Sequence, residues 1–408
     1  MTGMLSACHK TLKQGDEIEL TIEAVAFGGA GIGRFGGMVV FVPFAIDGDS
    51  VFVRIESVRK RFATAVLKSV RVPSPYRTTP RCTAYTRCGA CSYQHISYDY
   101  QLVIKNRQVR DALERIGRFS CIPLKDIIPS PQTYGYRGKA DFHFSMKGGR
   151  CRTAGFAFRK TNHIVDLQRC ELVHESINEA FSLLREDKST VGRRPLWSAE
   201  GNVTPSRMIR RVKDRELLVP RNGFFQTNLS LTDTLVNVVE EFCDLSGNET
   251  VLDGYCGSGL FSLFLAPRCR QLFGIEVEDD AVLCAEENMI KHNIATAVFY
   301  TGSMAPILRE KFISGNIPVD VAIVDPPRTG LNTDTVDALG VLNAPKIVYV
   351  SCNPATLARD LRALADFGYN IKRVQPLDMF PQTSHIETVA LLELNPFPIR
   401  VDRQQKIP

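Results

Sequence analysis

The sequence has 408 residues, of which 44% are hydrophobic and 23% are charged. This composition is typical of folded globular proteins and excludes a largely disordered chain, and the length favours roughly two to four domains. The net charge of +6 is compatible with a polyanionic partner without identifying one. No apolar run reaches the length of a membrane span and no signal peptide is visible. We therefore expect a soluble, monomeric protein of the reducing cytoplasm.

Residues 10–70 alternate between short apolar segments and glycine-rich turns. Segments 18–25, 39–42 and 51–55 are each expected to form a strand, and short strands at this spacing predict a small β-barrel. The run from Gly28 to Arg34 contains the glycine pattern of a dinucleotide loop, but no apolar helical periodicity follows it, so we exclude a Rossmann motif there. The segment resembles a TRAM domain, an oligonucleotide-binding-type barrel found on RNA-modifying enzymes.

Basic residues cluster at two places in the chain. Such a cluster either contacts the phosphates of a nucleic acid or forms a solvated protein face, and composition does not decide between the two. One cluster overlaps the predicted barrel and the other follows residue 206: Arg54, Arg59, Lys60, Arg61, Lys68 and Arg71, then Arg207, Arg210, Arg211, Lys213 and Arg215.

Residues 71–220 are expected to form a central α+β domain. The proline-rich stretch 72–76 is typical of a linker. An amphipathic helix is predicted over about 98–117, and it could pack on the domain that follows. A second helix is predicted near 175–185, between short strands.

Four cysteines of this central domain are candidate metal ligands. Three are separated by five and two residues and the fourth lies far downstream: Cys82, Cys88, Cys91 and Cys170. Four thiolates can hold either a tetrahedral zinc ion or a [4Fe–4S] cluster, and the spacing alone does not choose between them. Residue types suited to nucleic-acid contact lie within or just after this loop: Tyr85, Arg87, Tyr93 and His95.

Residues 221–408 show a regular alternation of apolar, β-rich runs with helix-like segments. This alternation implies α/β architecture, with a parallel sheet covered by helices on both faces. Five strands and a closing hairpin are expected: 250–254, 272–276, 297–300, 319–325, 346–351, 371–377 and 386–394. Seven strands with one antiparallel member resemble the Rossmann-like sheet of the common methyltransferase fold.

Glycines and carboxylates follow three of these strands. Glycines from Gly254 to Gly259 let the backbone approach a ligand at the carboxyl end of the first strand, where doubly wound sheets bind ligands. Glu276 ends the second strand, where an acid can bind both ribose hydroxyls of a nucleoside. Asp325 ends the fourth strand, and the two prolines after it fix a rigid loop, so Asp325 is expected to face a cofactor and an incoming base.

Cys352 ends the fifth strand and precedes a turn and a predicted helix. A cysteine near a helix N-terminus has a lowered pKa, which favours the nucleophilic thiolate. Polar neighbours distinguish Cys352 from other cysteines of this domain. Those are expected to be buried apolar residues: Cys243, Cys256, Cys269 and Cys284.

Four motifs resemble the RNA 5-methyluridine methyltransferase family, and the resemblance spans essentially the whole chain. They are Phe-Phe-Gln-Thr-Asn at 224–228, Asp-Pro-Pro-Arg at 325–328, Ser-Cys-Asn-Pro-Ala-Thr-Leu-Ala-Arg-Asp at 351–360 and His-Ile-Glu at 385–387. The resemblance implies that Cys352 is the nucleophile and Glu387 the general base. It also implies contacts with S-adenosylmethionine by four residues: Gln226, Tyr255, Glu276 and Asp325.

One position departs from the family, because Gly254 stands where a larger apolar residue is usual. We expect a slightly weaker strand end and no chemical consequence. The family resemblance also favours a [4Fe–4S] cluster over zinc at the four cysteines of the central domain.

The implied chemistry explains why a cysteine and a base are needed. C5 of uracil is too weakly nucleophilic to take a methyl group from a sulfonium unaided, whereas attack of the Cys352 thiolate on C6 makes C5 electron-rich. The C5 proton must then leave before the cysteine is eliminated, and Glu387 is the expected base. His385 is an alternative base that the sequence does not exclude.

Two other classes of function compete with this interpretation. A cytosine-5 methyltransferase also attacks C6, but its nucleophile typically follows strand four, where this chain has no cysteine. A non-catalytic iron–sulfur RNA-binding protein would be favoured by loss of Cys352 or Glu387, and both are present. The barrel with four cysteines resembles the 23S ribosomal RNA branch, so ribosomal RNA is favoured over transfer RNA as substrate.

Overall fold

The computed structural model describes residues 12–147, 151–158, 161, 163–187, 189–198, 202–204 and 206–395. Residues 10 and 11 of the predicted barrel domain and 396–408 of the predicted C-terminal domain lie outside this description. The chain divides into two compact units. The first contains the described residues among 1–104, 153–167 and 381–384, and the second contains the other described residues. Among the described residues, no helix has the length and apolar character that a membrane span needs.

The first unit contains a closed five-stranded barrel in the order β1-β2-β3-β5-β4. Its strands are β1 (Glu17–Val25), β2 (Ala30–Phe35), β3 (Met38–Pro43), β4 (Ser50–Val58) and β5 (Phe62–Val72). Exposed and buried residues alternate along β1, as expected for a strand with one face in a core. Parallel pairing of β3 with β5 closes the barrel, whereas the other pairs are antiparallel. The predicted barrel is therefore confirmed.

Most of the glycine-rich run that we excluded as a dinucleotide loop lies in strand β2, and Gly28 and Gly29 lie in the turn before it. A Cβ at Gly33 would lie 2.0 Å from Leu20 Cδ1, and one at Gly31 would lie 2.7 Å from the carbonyl oxygen of Ala45. These glycines are needed because neighbouring segments of the barrel approach the strand closely.

Three further elements include residues of the first unit. Helix α1 (Tyr98–Arg115) agrees with the helix predicted over about 98–117. Strands β7 (Cys151–Ala157) and β8 (Ile164–Asp166) form an antiparallel pair.

The second unit begins with small antiparallel elements. Strand β6 (Lys139–Lys147) pairs with β9 (Gly192–Trp197), and α2 (Glu175–Glu186) agrees with the predicted helix near 175–185. Strands β10 (Asn202–Thr204), β11 (Arg207–Val212) and β12 (Arg215–Pro220) form a three-stranded sheet.

The main sheet of the second unit has seven strands in the order β15-β14-β13-β16-β17-β19-β18. Strand β19 runs in the opposite direction to the other six strands of this sheet, so the predicted arrangement is confirmed. The strands are β13 (Thr250–Gly254), β14 (Gln271–Glu276), β15 (Ala297–Thr301), β16 (Val321–Val324), β17 (Lys346–Ser351), β18 (Tyr369–Leu377) and β19 (Glu387–Leu394).

Helices precede or follow the strands of this sheet in the chain. They are α3 (Thr232–Cys243), α4 (Leu260–Leu265), α5 (Asp279–Lys291), α6 (Met304–Ile307), α7 (Thr333–Leu342) and α8 (Pro354–Ala365), with a 3-10 turn at Ala266–Arg268 and a π-helical turn at Leu308–Ile313. One helix, α3, precedes the first strand of this sheet, and the others follow its strands. Apolar side chains from α3, α4 and strands β13, β16 and β17 share one core. Because β13, β14, β16 and β17 are parallel, the residues that follow them meet at one edge of the sheet.

Candidate active site

A cavity of about 410 Å³ opens at the carboxyl edge of the sheet. This volume lies within the range of small-ligand sites. Its lining comes from the ends of β13, β14 and β15 and from the start of α7: Tyr255, Ile275, Glu276, Val277, Gly302, Ser303, Met304, Ala305, Pro306, Asn332, Asp334 and Thr335. Two of the four residues expected to contact the cofactor, Tyr255 and Glu276, therefore share one cavity.

Backbone amides fix the carboxylate of Glu276. Its Oε2 accepts a hydrogen bond from Gly257 N at 3.0 Å, and its Oε1 accepts from Val277 N and Glu278 N at 2.7 and 3.0 Å. A carboxylate has lone pairs beyond these three bonds. It can therefore accept further hydrogen bonds from hydroxyl groups of a ligand in the cavity.

The residues after β13 adopt a tight turn. Tyr255 has a left-handed backbone (φ 63°). Burial raises the pKa of its half-buried phenol, and the Thr335 side chain opposes this effect. A Cβ at Gly254 would lie 2.4 Å from Met304 Cε, so Met304 fills the space that a larger residue at 254 would take. Met304, which lines the cavity, therefore compensates for the small residue at position 254, where the family usually has a larger one.

Asp253 is a buried carboxylate that the sequence interpretation missed. Its Oδ2 accepts hydrogen bonds from Ser262 N at 3.0 Å and Ser262 Oγ at 2.6 Å, whereas Oδ1 has no hydrogen-bond partner among the described residues. Burial raises the pKa of Asp253 to about 6 against the opposing effect of these hydrogen bonds. A buried acid in an apolar strand gives no periodicity signal, although its place directly before the glycine turn was visible.

Replacing Asp253 by asparagine should change the pH dependence of stability. The pKa of Asp253 in the folded state, about 6, exceeds the ordinary value of 3.8. The protonated acid therefore contributes its full stabilisation of the folded state below pH 3.8, and this stabilisation is lost as the pH rises through 6. Asparagine stays neutral and retains an acceptor for Ser262. Between pH 4 and pH 8, we expect the free energy of unfolding of the variant to rise relative to that of the wild type by up to about 3 kcal/mol.

Chemical denaturation at several pH values measures this gain. Asp279→Asn, at an exposed position, is the control and should give a difference that hardly varies with pH. A stability difference for Asp253→Asn that is the same at pH 5 and pH 8 would contradict an abnormal titration of Asp253.

The loop after β16 carries Asp325 and is held by the start of α8. Asp325 N donates to Gly254 O at 3.2 Å, which ties the loop to the end of β13. Asn353 Nδ2 and Thr356 Oγ1 both donate to the carbonyl oxygen of Arg328, at 3.2 and 3.3 Å. Burial, and secondarily the charge of Asp253, raises the pKa of Asp325 to about 7.

Asp360 and Arg359 also hold this loop, and the sequence interpretation assigned them no role. Asp360 Oδ2 accepts hydrogen bonds from Leu331 N at 2.8 Å and Tyr349 Oη at 2.7 Å. Arg359 Nη2 donates to the carbonyl oxygens of Thr329 and Leu331, at 2.9 and 3.0 Å. The loops after β16 and β17 therefore form one hydrogen-bonded structure.

Cys352 lies directly before Asn353, whose Oδ1 caps α8 by accepting from Ala355 N at 3.0 Å. The expected lowering of the Cys352 pKa is wrong. Burial raises the pKa of this half-buried thiol to about 12, and the charges of Glu387 and Asp325 add to the effect, while Arg328 opposes it. The burial and the two carboxylates outweigh the helix terminus, so the thiol is neutral at pH 7.

Glu387 is the first residue of β19 and is buried. Its pKa is raised well above the ordinary value by burial and by the charge of Asp325, with Arg328 opposing. Ser351 pairs with Thr388 in the sheet, so the expected nucleophile Cys352 and the expected base Glu387 lie beside each other at the ends of neighbouring strands, and the charges of Glu387 and Asp325 both raise the pKa of the thiol.

His385 and Gln226 lie outside the cavity lining. His385 is half-buried, its ring meets the Phe380 ring edge-on with centroids 5.7 Å apart, and burial lowers its pKa to about 4. It is therefore neutral at pH 7. Gln226 is buried, whereas the neighbouring Phe224 of the same motif is 72% exposed.

The loop with the three closely spaced cysteines lies in the first unit, and Cys170 lies in the second. Cys88, Cys91 and Cys170 are buried and Cys82 is half-buried. Over the described part of the chain, no three or more Cys, His, Asp or Glu side chains are grouped so as to hold a metal ion. The expected cluster is thus not visible as a preformed group of ligands, and it stays a prediction.

The expected nucleic-acid contacts after this loop are wrong for three of the four residues. Tyr93 packs in a small core with Ile46 and Ile96. Tyr85 Oη and His95 Nδ1 are 2.6 Å apart and buried. Only Arg87 is exposed. These aromatic residues stabilise the first unit because their apolar rings are removed from water, and Tyr85 Oη is paired with His95 Nδ1.

The four remaining cysteines of the second unit's sheet region are buried, as expected. Cys243, Cys256, Cys269 and Cys284 are each less than 9% exposed. Burial raises the pKa of Cys269 to about 11 and that of Cys256 well above its ordinary value. They are therefore inert packing residues rather than candidate nucleophiles.

The seven-stranded sheet and the site at its carboxyl edge define a protein of the S-adenosylmethionine-dependent methyltransferase fold. The tRNA (Uracil-5-)-methyltransferase family matches residues 207–395, and the TRAM domain matches residues 11–68. The chain belongs to the RNA uracil-5-methyltransferase family. The family predicted from the four motifs is therefore confirmed.

Relatives and one solved structure match nearly the whole chain. An RNA methyltransferase of Listeria innocua is 30% identical over 94% of this chain and 99% of its own length. One from Nostoc sp. is 32% identical over 94% and 98%. The crystal structure of Pyrococcus abyssi tRNA (uracil-54, C5)-methyltransferase in complex with S-adenosyl-L-homocysteine matches with a TM-score of 0.71 and 28% identity, over 92% of this chain and 100% of that one.

Proposed function

We propose that the protein methylates C5 of a uridine in RNA through a covalent adduct between Cys352 and C6, with S-adenosylmethionine as methyl donor. The observation that carries this proposal is the strand register: Ser351 pairs with Thr388, which places Cys352 beside Glu387 at the sheet edge where Asp325 follows β16 and which also holds the cavity. A thiol beside two carboxylates suits a reaction with one nucleophilic step and one proton removal.

The cavity fits the nucleoside part of the donor. Its volume and the fixed Glu276 carboxylate suit a ribose with two hydroxyls. We propose that Glu276 binds the ribose, that Tyr255 contacts the nucleoside, and that Gln226 and Asp325 contact the remainder. The bound donor supplies an activated methyl group on a cationic sulfur. Burial raises the pKa values of Asp253 and Asp325, and the charge of Asp253 adds to the effect on Asp325, so a positively charged ligand beside these acids would favour their ionised forms.

The residues of the chain perform the other steps. The Cys352 thiol loses its proton to solvent, and the sulfur forms a bond to C6 while the electron pair of the C5–C6 double bond moves onto C5 and the C4 oxygen as an enolate. C5 accepts the methyl group. Glu387, in its ionised form, then takes the C5 proton, and the electron pair of that bond re-forms the C5–C6 double bond while the C6–S bond breaks and releases the Cys352 thiolate. Because the thiol is neutral in the free protein, its deprotonation is part of the catalytic cycle.

We propose 23S ribosomal RNA as the substrate, since the barrel combined with four cysteines resembles the ribosomal branch of the family. Transfer RNA is the second candidate. It is favoured by the whole-chain likeness to the Pyrococcus abyssi enzyme, which acts on uracil 54 of tRNA. A monomer acting in the cytoplasm is part of the proposal.

Mass spectrometry of nuclease fragments tests this function. Total RNA from a deletion strain and from the same strain complemented with the wild type or with Cys352→Ala is compared. We expect one uridine of 23S ribosomal RNA to lose its C5 methyl group in the deletion and to regain it only with the wild type. If the C5 methyl group is lost only from tRNA, then tRNA is the substrate. An unchanged methylation pattern in all RNA would refute the proposal.

A [4Fe–4S] cluster bound by four thiolates is also part of the proposal. The donor set suits it, because three of the thiols come from the turn-rich segment between Cys82 and Cys91, and Gln94 Nε2 donates to Cys91 Sγ at 3.3 Å. Such N–H···S contacts favour a thiolate ligand. The cluster would supply cross-links between cysteines that are distant in sequence. The residues proposed to hold it are Cys82, Cys88, Cys91 and Cys170.

Protein purified without oxygen from iron-replete cells should be brown and contain about four irons per chain. Cys170→Ser and Cys88→Ser should lose the cluster equally, because each removes one of four ligands. Cys121→Ser, at an exposed cysteine, is the control and should retain all of the iron. Stoichiometric zinc with negligible iron would contradict the cluster, and a full cluster in Cys170→Ser would assign the fourth ligand elsewhere.

The turn between β4 and β5 is proposed to bind RNA phosphates. Arg59, Lys60 and Arg61 are exposed there, and no ion pair given by the described residues includes them. Phe62, which follows, is 38% exposed and meets the Phe41 ring edge-on with centroids 5.6 Å apart. Cations beside an exposed ring suit a single RNA strand.

Replacing Arg59, Lys60 and Arg61 together by serine should weaken RNA binding and lower the slope of log K against log salt by about 2, since each phosphate contact to a single strand contributes about 0.7. The single-turnover rate at saturating RNA should stay near that of the wild type. Arg59→Lys with Arg61→Lys keeps the charges and is the control. An unchanged slope in the serine variant would give this turn a structural role only.

A further inference from the structure

A lysine and an aspartate form an ion pair in the interior of the second unit. Lys105 of α1 donates from Nζ to Asp378 Oδ1 at 2.6 Å, and both side chains are completely buried. Burial of two charges costs several kcal/mol, and well-packed apolar residues often stabilise a core equally well. Asp378 Oδ2 has no hydrogen-bond partner among the described residues, so the pair is not optimised for stability. Its position therefore needs another explanation.

Lys105 also holds the backbone that leads to the proposed base. Its Nζ donates to the carbonyl oxygen of Phe380 at 3.0 Å. Asp378 N donates to Ile128 O at 2.9 Å, which fixes the other end of this short segment. One ammonium group thus ties a side chain and a carbonyl oxygen two residues apart, just after β18 ends at Leu377.

Phe380, whose carbonyl oxygen Lys105 holds, also contacts a residue close to Glu387. Its ring meets the His385 ring edge-on, with centroids 5.7 Å apart and an angle of 72° between the planes. His385 is two residues before Glu387, where β19 begins. Leu377 pairs with Glu387 in the sheet, so the anchored segment leaves β18 directly opposite the proposed base. A shift of Phe380 would therefore be passed to the start of β19.

We propose that Lys105 is a positioning residue for the proton removal by Glu387, acting through the Asp378 carboxylate and the Phe380 carbonyl oxygen. This inference rests on the proposed function. Lys105 contacts neither the cavity nor Cys352 in the hydrogen bonds described. Its loss should slow the release of the methylated base more than the formation of the adduct or the transfer of the methyl group.

Three variants separate positioning from stability. Lys105→Met leaves the Asp378 carboxylate buried without its cation and should destabilise the protein strongly. The double variant with Lys105→Met and Asp378→Asn removes both charges and should recover most of the lost stability. This double variant still lacks the hydrogen-bond donor to the Phe380 carbonyl oxygen, so we expect Glu387 to stay misplaced. Lys105→Arg keeps the charge and several donors and should rescue product release in part.

The experiment follows one turnover on an unmodified transcript that contains the mapped uridine. Methyl transfer and the covalent protein–RNA adduct, resolved on denaturing gels, are measured with time, together with thermal unfolding. For the double variant we expect methyl transfer within about threefold of the wild type and adduct decay slower by roughly thirtyfold, since small misplacements of a catalytic group cost up to about a hundredfold. Lys346→Met removes the partly buried hydrogen bond from Lys346 Nζ to Cys243 O and controls for destabilisation alone.

Two results would overturn the inference. One is a double variant that regains both stability and the normal rate of adduct decay, because the pair would then be structural only. The other is an equal slowing of methyl transfer and adduct decay, or the same slow decay in Lys346→Met. Glu387→Gln and the wild type accompany every measurement. If the wild type methylates the transcript without forming an adduct at any time during the turnover, the proposed covalent mechanism fails, which is distinct from failure of the Lys105 assignment.

Discussion

Cys352→Ala is expected to lower the single-turnover rate of methyl transfer by at least about four orders of magnitude, as removal of a covalent nucleophile does in other enzymes. Without the bond from sulfur to C6, C5 of uracil does not become electron-rich. Binding of S-adenosylmethionine should change less than about threefold, because Cys352 is absent from the cavity lining. Rapid-quench assays with a labelled donor and calorimetric titration of the donor measure the two quantities.

Cys284→Ala is the matched control for this prediction. Cys284 lies on α5, is completely buried and belongs to the same unit. Its replacement should lower stability slightly through lost packing and leave the rate of methyl transfer near normal. A Cys352→Ala rate within tenfold of the wild type would exclude Cys352 as the nucleophile and leave the family fold with a different reaction course.

Much of the sheet and of the site position could be predicted from the sequence because strand ends carry the chemistry. Strand β13 was predicted with the observed bounds, and the end of β14 at Glu276 was placed correctly. Apolar β-rich runs are local signals, and the parallel order follows from their alternation with helices. A polar residue directly after such a run is therefore visible as a site candidate without knowledge of the packing.

The electrostatics of the site could not be predicted in the same way. The sequence gives Cys352 a helix terminus, which is local, but its raised pKa results from burial and from Asp325 and Glu387, which come from other strands. In the sequence, Asp253 is one more residue of a buried strand, and only the structure shows that its Oδ1 has no hydrogen-bond partner among the described residues. Lys105 has the appearance of a solvated helix residue, since its burial depends on Asp378, distant in the chain. Long-range pairing decides these cases.

Tyr93 and His95 illustrate the opposite error. Tyrosine and histidine near a cysteine loop are residue types that stack on bases, and they follow the loop closely in the chain. Both are buried in the first unit, where the rings contribute apolar surface. The exposed aromatic residues of this unit lie elsewhere, and Phe62 follows three basic residues in the turn after β4. Exposure, rather than residue type, distinguishes a binding surface from a core.

Glu387→Gln is expected to accumulate the covalent protein–RNA adduct. Glutamine has nearly the same shape but cannot take the C5 proton, so the reaction should stop after methyl transfer. The change also removes one of the negative charges that raise the Cys352 pKa, which should make the thiolate easier to form. Attack and methyl transfer should therefore be no slower than in the wild type, while release of the methylated base falls by at least about a thousandfold.

Denaturing gels with labelled RNA and labelled methyl donor measure both effects, because a trapped adduct carries both labels. Glu393→Gln is the control on the same strand. Glu393 is 45% exposed in its side chain and pairs with Lys372 across 3.7 Å, so its loss should not change adduct decay. If folded, RNA-binding Glu387→Gln gives no adduct while Cys352 is essential, another group must remove the proton. His385 would be the next candidate, since it is neutral at pH 7 and lies two residues before Glu387.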